Sequence, residues 1–304
     1  MHLIGIDLGG TKIEGVALDA DDPSRVVKRL RIPTEAQNGY EHILHRIKRV
    51  IELLEENGAE LADVIGIGTP GTLDPETGRI RGSNTQCLNG QALKADIEEL
   101  VGREFAMAND ANCFALAEAV LGAGRGYETV FGIIMGTGCG GALVHNGRVL
   151  TGRHGNAGEW GQVVIEPDGE RSVHGTKGIV EAYIAGPALE AFYEHRTGVR
   201  LPLREIVART NSDEHARATV ARLKEYFCRS LAPVVDIFDP HAIVLGGGVG
   251  NVAELYSESV RNRLTELTFA PSCQTPLLKP LLGDSAGVFG AAMISCDSVS
   301  LRIG

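Results

Sequence analysis

No two cysteines of this chain stand at C-x-x-C spacing. The six that occur, Cys87, Cys113, Cys139, Cys228, Cys273 and Cys296, are scattered, which points away from a zinc ribbon or a disulfide framework and toward small buried residues in a reducing compartment. Long apolar runs are missing as well. No uninterrupted stretch reaches the ~18–20 residues of a membrane helix, and Asp7 breaks the first apolar segment before it could serve as a leader. The expectation is a cytoplasmic protein with no membrane partner. Cationic residues are outnumbered, 29 Lys and Arg against 39 Asp and Glu, for a formal net charge of −10. Because phosphate backbones are held by clustered Lys and Arg, this balance argues against nucleic acid as a partner.

What the chain has is size and glycine-rich turns. Its 304 residues, 43% of them hydrophobic, are more than one core comfortably fills, so two lobes are expected. The stretch from Leu3 to Leu18 reads as two strands around the turn Asp7-Leu8-Gly9-Gly10-Thr11-Lys12. Glycines let backbone N–H groups approach phosphate oxygens, Thr11 adds a hydroxyl, Lys12 adds charge, and Asp7 can hold a hydrated cation. A plain hairpin would account for Gly9-Gly10 alone. Two further glycine clusters downstream favour the anion-binding reading.

The remainder reads as α/β. Val26 to Arg31 is a third strand, and Tyr40 to Asn57 carries apolar residues at helical spacing with Gly58 as its stop. His42 and His45 lie on the basic face of that helix and read as solvated side chains rather than metal ligands. Val64 to Gly68 is a buried strand, Arg79 to Asn89 a polar loop that holds Asn84, and Leu93 to Val101 a helix. Phe105 to Ala108 is a strand that delivers Asn109-Asp110-Ala111-Asn112 to its carboxyl end, with a helix beginning at Cys113. That is where α/β sheets place chemistry. Asp110 can also serve as the N-cap of that helix, and the two roles are compatible.

Thr129 to Met135 is a strand followed by Gly136-Thr137-Gly138-Cys139-Gly140-Gly141, which fits G-x-G-x-x-G, as does Gly66 to Gly71. Neither opens a helix, as a dinucleotide-binding turn would; the first runs into a strand and the hairpin turn Asn146-Gly147. It repeats the opening hairpin, which suggests a duplicated fold. Gly158-Glu159-Trp160-Gly161-Gln162 is a small-residue loop with one carboxylate, and Glu181 falls in the first turns of a helix, where the dipole favours it. Leu189 to Phe238 is mostly helical. Ala242 to Leu245 is a strand ending in Gly246-Gly247-Gly248, with a helix from Val252, and bare backbone there can lie against a nucleobase or ribose. Gly283-Asp284-Ser285-Ala286-Gly287 fits a nucleophile elbow, but that arrangement needs a His after the serine and none follows Ser285. A capping turn into the last helix accounts for the same residues.

In order, Asp7 to Lys12, Asn109 to Asn112, Gly136 to Gly141, Gly158 to Gly161, Leu245 to Gly248 and Gly283 to Gly287 resemble the motifs of the ROK family of sugar kinases and repressors, over essentially the whole chain. The resemblance implies an actin/hexokinase-like (ribonuclease H-like) α/β fold, duplicated and two-lobed with a cleft. The first lobe would span residues 1–108, joined by the last helix at about 288–304, and the second 109–287. It also implies ATP and Mg2+ as cofactors, a hexose substrate and usually a homodimer. By position, Asp110 resembles the family's catalytic base and Asn109 its neighbouring hydroxyl ligand. Glu159 and Glu181 resemble the glutamates that grip sugar hydroxyls, Asn84 contributes from the first lobe, and Gln162 stands where the family's His approaches the sugar. Gly9, Gly10, Thr11, Lys12, Gly136, Thr137 and Gly138 would face the phosphates, Gly246, Gly247 and Gly248 the adenosine, and Asp7 a water-mediated Mg2+. An Asp with a reference pKa of ~3.9 is ionised at neutral pH and can take the proton of a primary hydroxyl that attacks the γ-phosphorus.

Many family members bind zinc through that His and three cysteines. Here the four positions read Gln162, Ser172, His174 and Ile179, so no structural zinc is expected. Asn84-Thr85-Gln86-Cys87-Leu88-Asn89-Gly90 resembles the sugar-side loop of bacterial fructokinases. The expected reaction is therefore ATP-dependent phosphorylation of the 6-hydroxyl of fructose, or of a related hexose such as mannose or glucose. The alternative among enzymes is an N-acetylglucosamine or N-acetylmannosamine kinase. A sugar-responsive repressor is disfavoured, because family repressors carry a DNA-binding domain before the first hairpin and here only Met1 to Leu3 precede it.

Overall fold

The computed structural model describes the backbone of residues 1–56, 61–172 and 175–300, and the side chains of all of these except 61 and 296–300. Gly58, the expected helix stop, and His174, one of the four former zinc positions, lie outside the described residues. The chain divides into two compact units, Met1–Gly126 with Leu143–Ala157 and Leu281–Gly304, and Tyr127–Ala142 with Gly158–Pro280.

The first unit opens with β1 (His2–Leu8), β2 (Lys12–Asp19) and β3 (Val26–Pro33), paired antiparallel. Helix α1 (Tyr40–Glu55) leads to β4 (Leu61–Thr69), then to a small two-stranded sheet of β5 (Thr72–Leu73) and β6 (Ile80–Arg81). Helix α2 (Leu93–Val101), β7 (Glu104–Asn109) and α3 (Asp110–Val120) follow. The main sheet has the order β3-β2-β1-β4-β7, with β4 parallel to β1 and β7. Strand alternation gives its two faces different tasks. Ile4, Ile6, Ile65 and Ile67 join Ile43, Ile47 and Leu54 of α1 in one buried cluster. Gly5 and Gly66, on the other face, seat the last helix (Ala286–Ser300). A Cβ on Gly66 would lie 1.6 Å from the carbonyl oxygen of Ala291, and one on Gly5 2.2 Å from that of Val288.

A buried carboxylate ties α3 to the segment ahead of that last helix. Glu118 has no exposed surface; its Oε2 accepts from the N–H groups of Ala123 at 2.9 Å and Leu281 at 3.1 Å, and its Oε1 from Leu282 at 2.8 Å. Three backbone donors replace the solvation that burial removes.

The second sheet is built from β8 (Thr129–Met135), β9 (Cys139–His145), β10 (Arg148–Val149), β11 (Ala242–Gly246) and β12 (Leu277–Leu278), in the order β10-β9-β8-β11-β12. Counted along the chain, this is the same third-second-first-fourth-fifth arrangement as in the first sheet, so the fold is duplicated. The expected Asn146-Gly147 turn is present, with φ of 51° and 72° at the two residues, as a tight hairpin turn requires. The second unit adds α4 (Glu181–Ile184), α5 (Gly186–Thr197), α6 (Leu203–Ala208), α7 (Glu214–Phe238), α8 (Gly247–Gly250) and α9 (Glu258–Leu267).

Several local expectations shift. The helix expected from Cys113 starts three residues earlier, because Asn109 caps it: its side chain accepts from the N–H of Asn112 at 2.7 Å. The helix expected from Val252 is instead α8, a 3-10 turn at Ala253–Tyr256, and α9 from Glu258. Val252 is extended, and the Tyr256 hydroxyl donates to the carbonyl of Gly250 at 2.8 Å, which holds the turn. Within the Gly283 to Gly287 motif, Gly283–Ser285 is a 3-10 turn with no side-chain cap. His42 pairs with Glu35 at 2.7 Å, while His45 is exposed. Cys113, Cys139, Cys228 and Cys273 are buried free thiols and Cys87 is half-buried. Among the described residues, no helix is long and apolar enough to cross a membrane.

Candidate active site

In the first unit, the β1/β2 hairpin and the β7/α3 junction bring two carboxylates together. The turn after β1 is closed by the N–H of Gly9 donating to Lys12 O at 2.9 Å, and Thr34 secures it from β3, its hydroxyl donating to Gly9 O at 2.6 Å and its N–H to Thr11 O at 3.0 Å. Thr11 and Lys12 are exposed at its tip. Register places Asp7 between Glu14 on β2 and Gly68 on β4. Gly287 of the last helix backs onto it: a Cβ there would lie 3.1 Å from Asp7 Oδ2. The Gly283 to Gly287 motif thus supplies close packing beside Asp7 rather than a nucleophile. Asp110 stands at the first position of α3, with its carboxylate accepting from the N–H of Ala111 at 2.8 Å. Since Asn109 has taken the capping role, its Oδ1 is engaged by the N–H of Asn112.

The electrostatics of this corner are distinctive. Burial, followed by the charges of Asp110 and Glu14, pushes the Asp7 carboxyl up to about 6, against the smaller opposing pull of Lys12 and Arg31. Glu14 is itself held by Arg29 and by Arg31, the latter at 2.6 Å. Solvent reaches Asp110, yet the surrounding protein raises its carboxyl above the ordinary range, with backbone N–H groups opposing. Crowded carboxylate oxygens of this kind suit a hard, oxygen-seeking cation such as Mg2+. One consequence is measurable. The folded-state value of Asp7 lies above its unfolded value of 3.8, so its favourable contribution is complete below pH 3.8 and is lost as pH rises through about 6. Asp7→Asn is therefore expected to stabilise the protein at pH 7.5 by on the order of 1 kcal/mol in urea denaturation, with the gain vanishing toward pH 4. Equal effects at both pH values would show that Asp7 is not strained by its charge.

Asn84 lies on a neighbouring loop of the same unit. Asn89 braces that loop, accepting from the N–H of Ser83 at 2.8 Å and donating to its carbonyl at 2.8 Å. A Cβ on Gly10 would come within 3.2 Å of the Thr85 hydroxyl, so the loop adjoins the glycine turn. Asn84 itself is exposed.

In the second unit, the other two glycine clusters meet. Gly136 N–H donates to Gly138 O at 2.9 Å, which closes this turn one residue more tightly than the first. Gly247, at φ +78°, packs on the end of β8, where a Cβ would lie 2.2 Å from Met135 O. Gly136, Thr137 and Gly248 line one edge of a cavity of about 700 Å3, whose apolar walls include Pro187, Leu203 and Val252. A Cβ on Gly136 or Gly248 would meet nothing within 4 Å, so the backbone there is open to a ligand. Gly246 begins the same turn but is buried within β11.

The loop of Glu159 and the side chain of Glu181 reach this turn by different routes. Trp160 anchors the loop of Glu159: its Nε1 donates to Gly140 O at 3.1 Å and its ring meets Phe131 and Phe227 edge-on. Gly158 and Gly161 press on the backbone of Gly141 and Cys139, where Cβ atoms would come within 2.5 and 2.0 Å. Gln162 is exposed at the end of the loop. Glu181 does not serve a helix dipole, since α4 is only four residues long. Its Oε2 accepts from the N–H of Cys139 at 3.1 Å, while its buried Oε1 has no partner. Ser172 is also buried, and its loop is held by backbone hydrogen bonds, Ser172 N–H to Thr176 O at 2.8 Å and Gly175 N–H to Ser172 O at 2.9 Å. No cluster of three or more His, Cys, Asp or Glu suited to a metal occurs among the described residues. Sequence reasoning found the glycine edge of the cavity but missed its walls, Glu190, Arg204 and Glu254 among them. These lie in helices and turns whose local pattern carries no motif.

A duplicated sheet with glycine turns at its strand ends and a carboxylate at a helix start defines a phosphotransferase of the actin/hexokinase-like α/β class. The chain belongs to the ROK family, whose model matches residues 3–297, and it is a sugar kinase. N-acetyl-D-glucosamine kinases of several bacteria match at 34–36% identity. That of Pectobacterium atrosepticum is 35% identical over 95% of this chain and 97% of its own length. Among solved structures, a ROK hexokinase from Thermus thermophilus superposes with a TM-score of 0.88 at 33% identity, covering all of both chains. A ROK family glucokinase from Streptomyces griseus in complex with glucose and AMPPNP gives 0.78 at 26% identity, over 98% of this chain and 100% of that one.

Proposed function

We propose that the protein transfers the γ-phosphoryl group of ATP to the 6-hydroxyl of an N-acetylhexosamine, N-acetylglucosamine first. The observation that carries the substrate class is the 35% identity to an N-acetyl-D-glucosamine kinase across 95% of the chain. Fructose, toward which the Asn84 to Gly90 loop points, is not a sugar named by the relatives described above. Glucose is the second reading, favoured by the likeness to the Streptomyces griseus enzyme.

In this reading Asp110 accepts the proton of the 6-hydroxyl as its oxygen attacks phosphorus, and Asn109 Nδ2 and Asn84 orient the sugar from the first unit. Glu159, Gln162 and the unpartnered Oε1 of Glu181 receive sugar hydroxyl or amide donors. Gly9, Gly10, Thr11 and Lys12, with Gly136, Thr137 and Gly138, supply N–H, hydroxyl and ammonium donors to the phosphates. Gly248 lines the 700 Å3 cavity and faces the adenosine there, while Gly246 and Gly247 shape the turn that presents it. Mg2+, held through water by Asp7, would neutralise phosphate charge. Most of the acceleration then comes from positioning and charge.

The test is ADP release over a panel of N-acetylglucosamine, N-acetylmannosamine, glucose, mannose and fructose. The expected kcat/KM for N-acetylglucosamine exceeds those for glucose and fructose by about tenfold or more, the discrimination one or two well-made polar contacts provide. Glucose or fructose leading the panel would overturn the aminosugar assignment while leaving the kinase intact.

A further inference from the structure

One wall of the cavity carries a half-buried glutamate, one of whose carboxylate oxygens the protein leaves without a partner. Glu254 lines the 700 Å3 cavity, and its buried Oε2 has no hydrogen-bond partner. A buried acceptor deprived of a donor is costly, so a ligand donor is the natural complement. The frame around it is rigid. Leu255 N–H donates to Val252 O at 3.1 Å, and the amide and hydroxyl of Ser257 donate to Glu254 O at 3.2 and 2.6 Å. The Tyr256 hydroxyl donates to Gly250 O at 2.8 Å.

The other charged groups on this cavity are less suited to reading a ligand. Glu190 Oε1 already accepts from the N–H of Leu203 at 2.8 Å, and Arg204 is exposed. Pro187, Leu203, Val249 and Val252 give a planar ring apolar surface to lie on. Glycine turns hold phosphate and ribose whatever the base, so base identity has to be read elsewhere in the cavity.

Building on the assignment of this cavity to adenosine, we infer that Glu254 reads the purine: it accepts a hydrogen bond from the 6-amino group of adenine and rejects a 6-oxo purine, whose oxygen would face the carboxylate lone pair to lone pair.

ATP and ITP differ at purine C6, amino in one and oxo in the other, which makes them the probes. Sugar phosphate formed at saturating sugar is measured with each. The wild-type enzyme is expected to prefer ATP in kcat/KM by about 10- to 100-fold. Glu254→Gln presents an amide donor as well as an acceptor, and should bring that ratio within about threefold while leaving the sugar KM unchanged. Glu254→Ala should weaken ATP without weakening ITP. A wild-type enzyme that uses ITP as well as ATP overturns the inference, and needs no variant to fold. Variants that lose both nucleotides in proportion overturn it too, since that is what a merely structural Glu254 would do. Absence of sugar phosphate from wild type with ATP across the whole sugar panel overturns the kinase reading, and this inference with it.

Discussion

Asp110→Asn is expected to lower kcat by about 10²–10⁴-fold while leaving the folded protein nearly as stable as the wild type. The separation of the two effects follows from the α3 junction. Asn109, not Asp110, caps the helix, and an asparagine at 110 keeps an oxygen to accept from the N–H of Ala111, so no cap is lost. What disappears is the capacity to take a proton. The surrounding protein raises the Asp110 carboxyl, so the acid limb of kcat/KM in the wild type should lie above the ordinary aspartate value and should be absent from the residual activity of the variant. Activity within threefold of wild type would remove Asp110 from the proton transfer. So would a destabilisation of about 1 kcal/mol or more that accounts for the activity lost.

Glu118→Ala carries the largest expected effect on stability. Three backbone N–H groups, those of Ala123, Leu281 and Leu282, lose their acceptor in a site without solvent, and each such orphan costs ~1–3 kcal/mol. A loss of about 3–5 kcal/mol is expected in denaturant midpoints, a large share of the 5–15 kcal/mol typical of a domain. Gly122 is held close by the same carboxylate, where a Cβ would lie 2.0 Å from Oε2, so a larger residue at 122 should act in the same direction. Glu118→Gln, which keeps one acceptor oxygen, should fall between. A shift below about 1 kcal/mol in the alanine variant would mean that water or local rearrangement satisfies those donors.

The sequence carries local patterns well and distant contacts poorly. The opening hairpin, the strand feeding Asn109-Asp110 and the Asn146-Gly147 turn were legible because period-two alternation and turn chemistry act within a few residues. The echo between the first two glycine turns announced the duplicated sheet. The start of α3 was misplaced by three residues because Asn and Asp stand side by side, each able to cap. Glu181 read as a helix-start glutamate, whereas it is a partner to an N–H that lies 42 residues away in the chain. A signal was available for the seat of the last helix: isolated glycines in apolar strands, Gly5 and Gly66, mark close backbone approach. Nothing comparable pointed to Arg31 or Glu254, whose neighbours are set by tertiary packing alone.

The seating of the last helix on Gly5 and Gly66 has a bearing on how the molecule is made. A sheet whose strands are all translated within the first 109 residues must wait for residues near 290 before that face is covered. Until then a ribosome-bound chain exposes a bare glycine groove to its surroundings, and chaperone occupancy should peak late in synthesis rather than early.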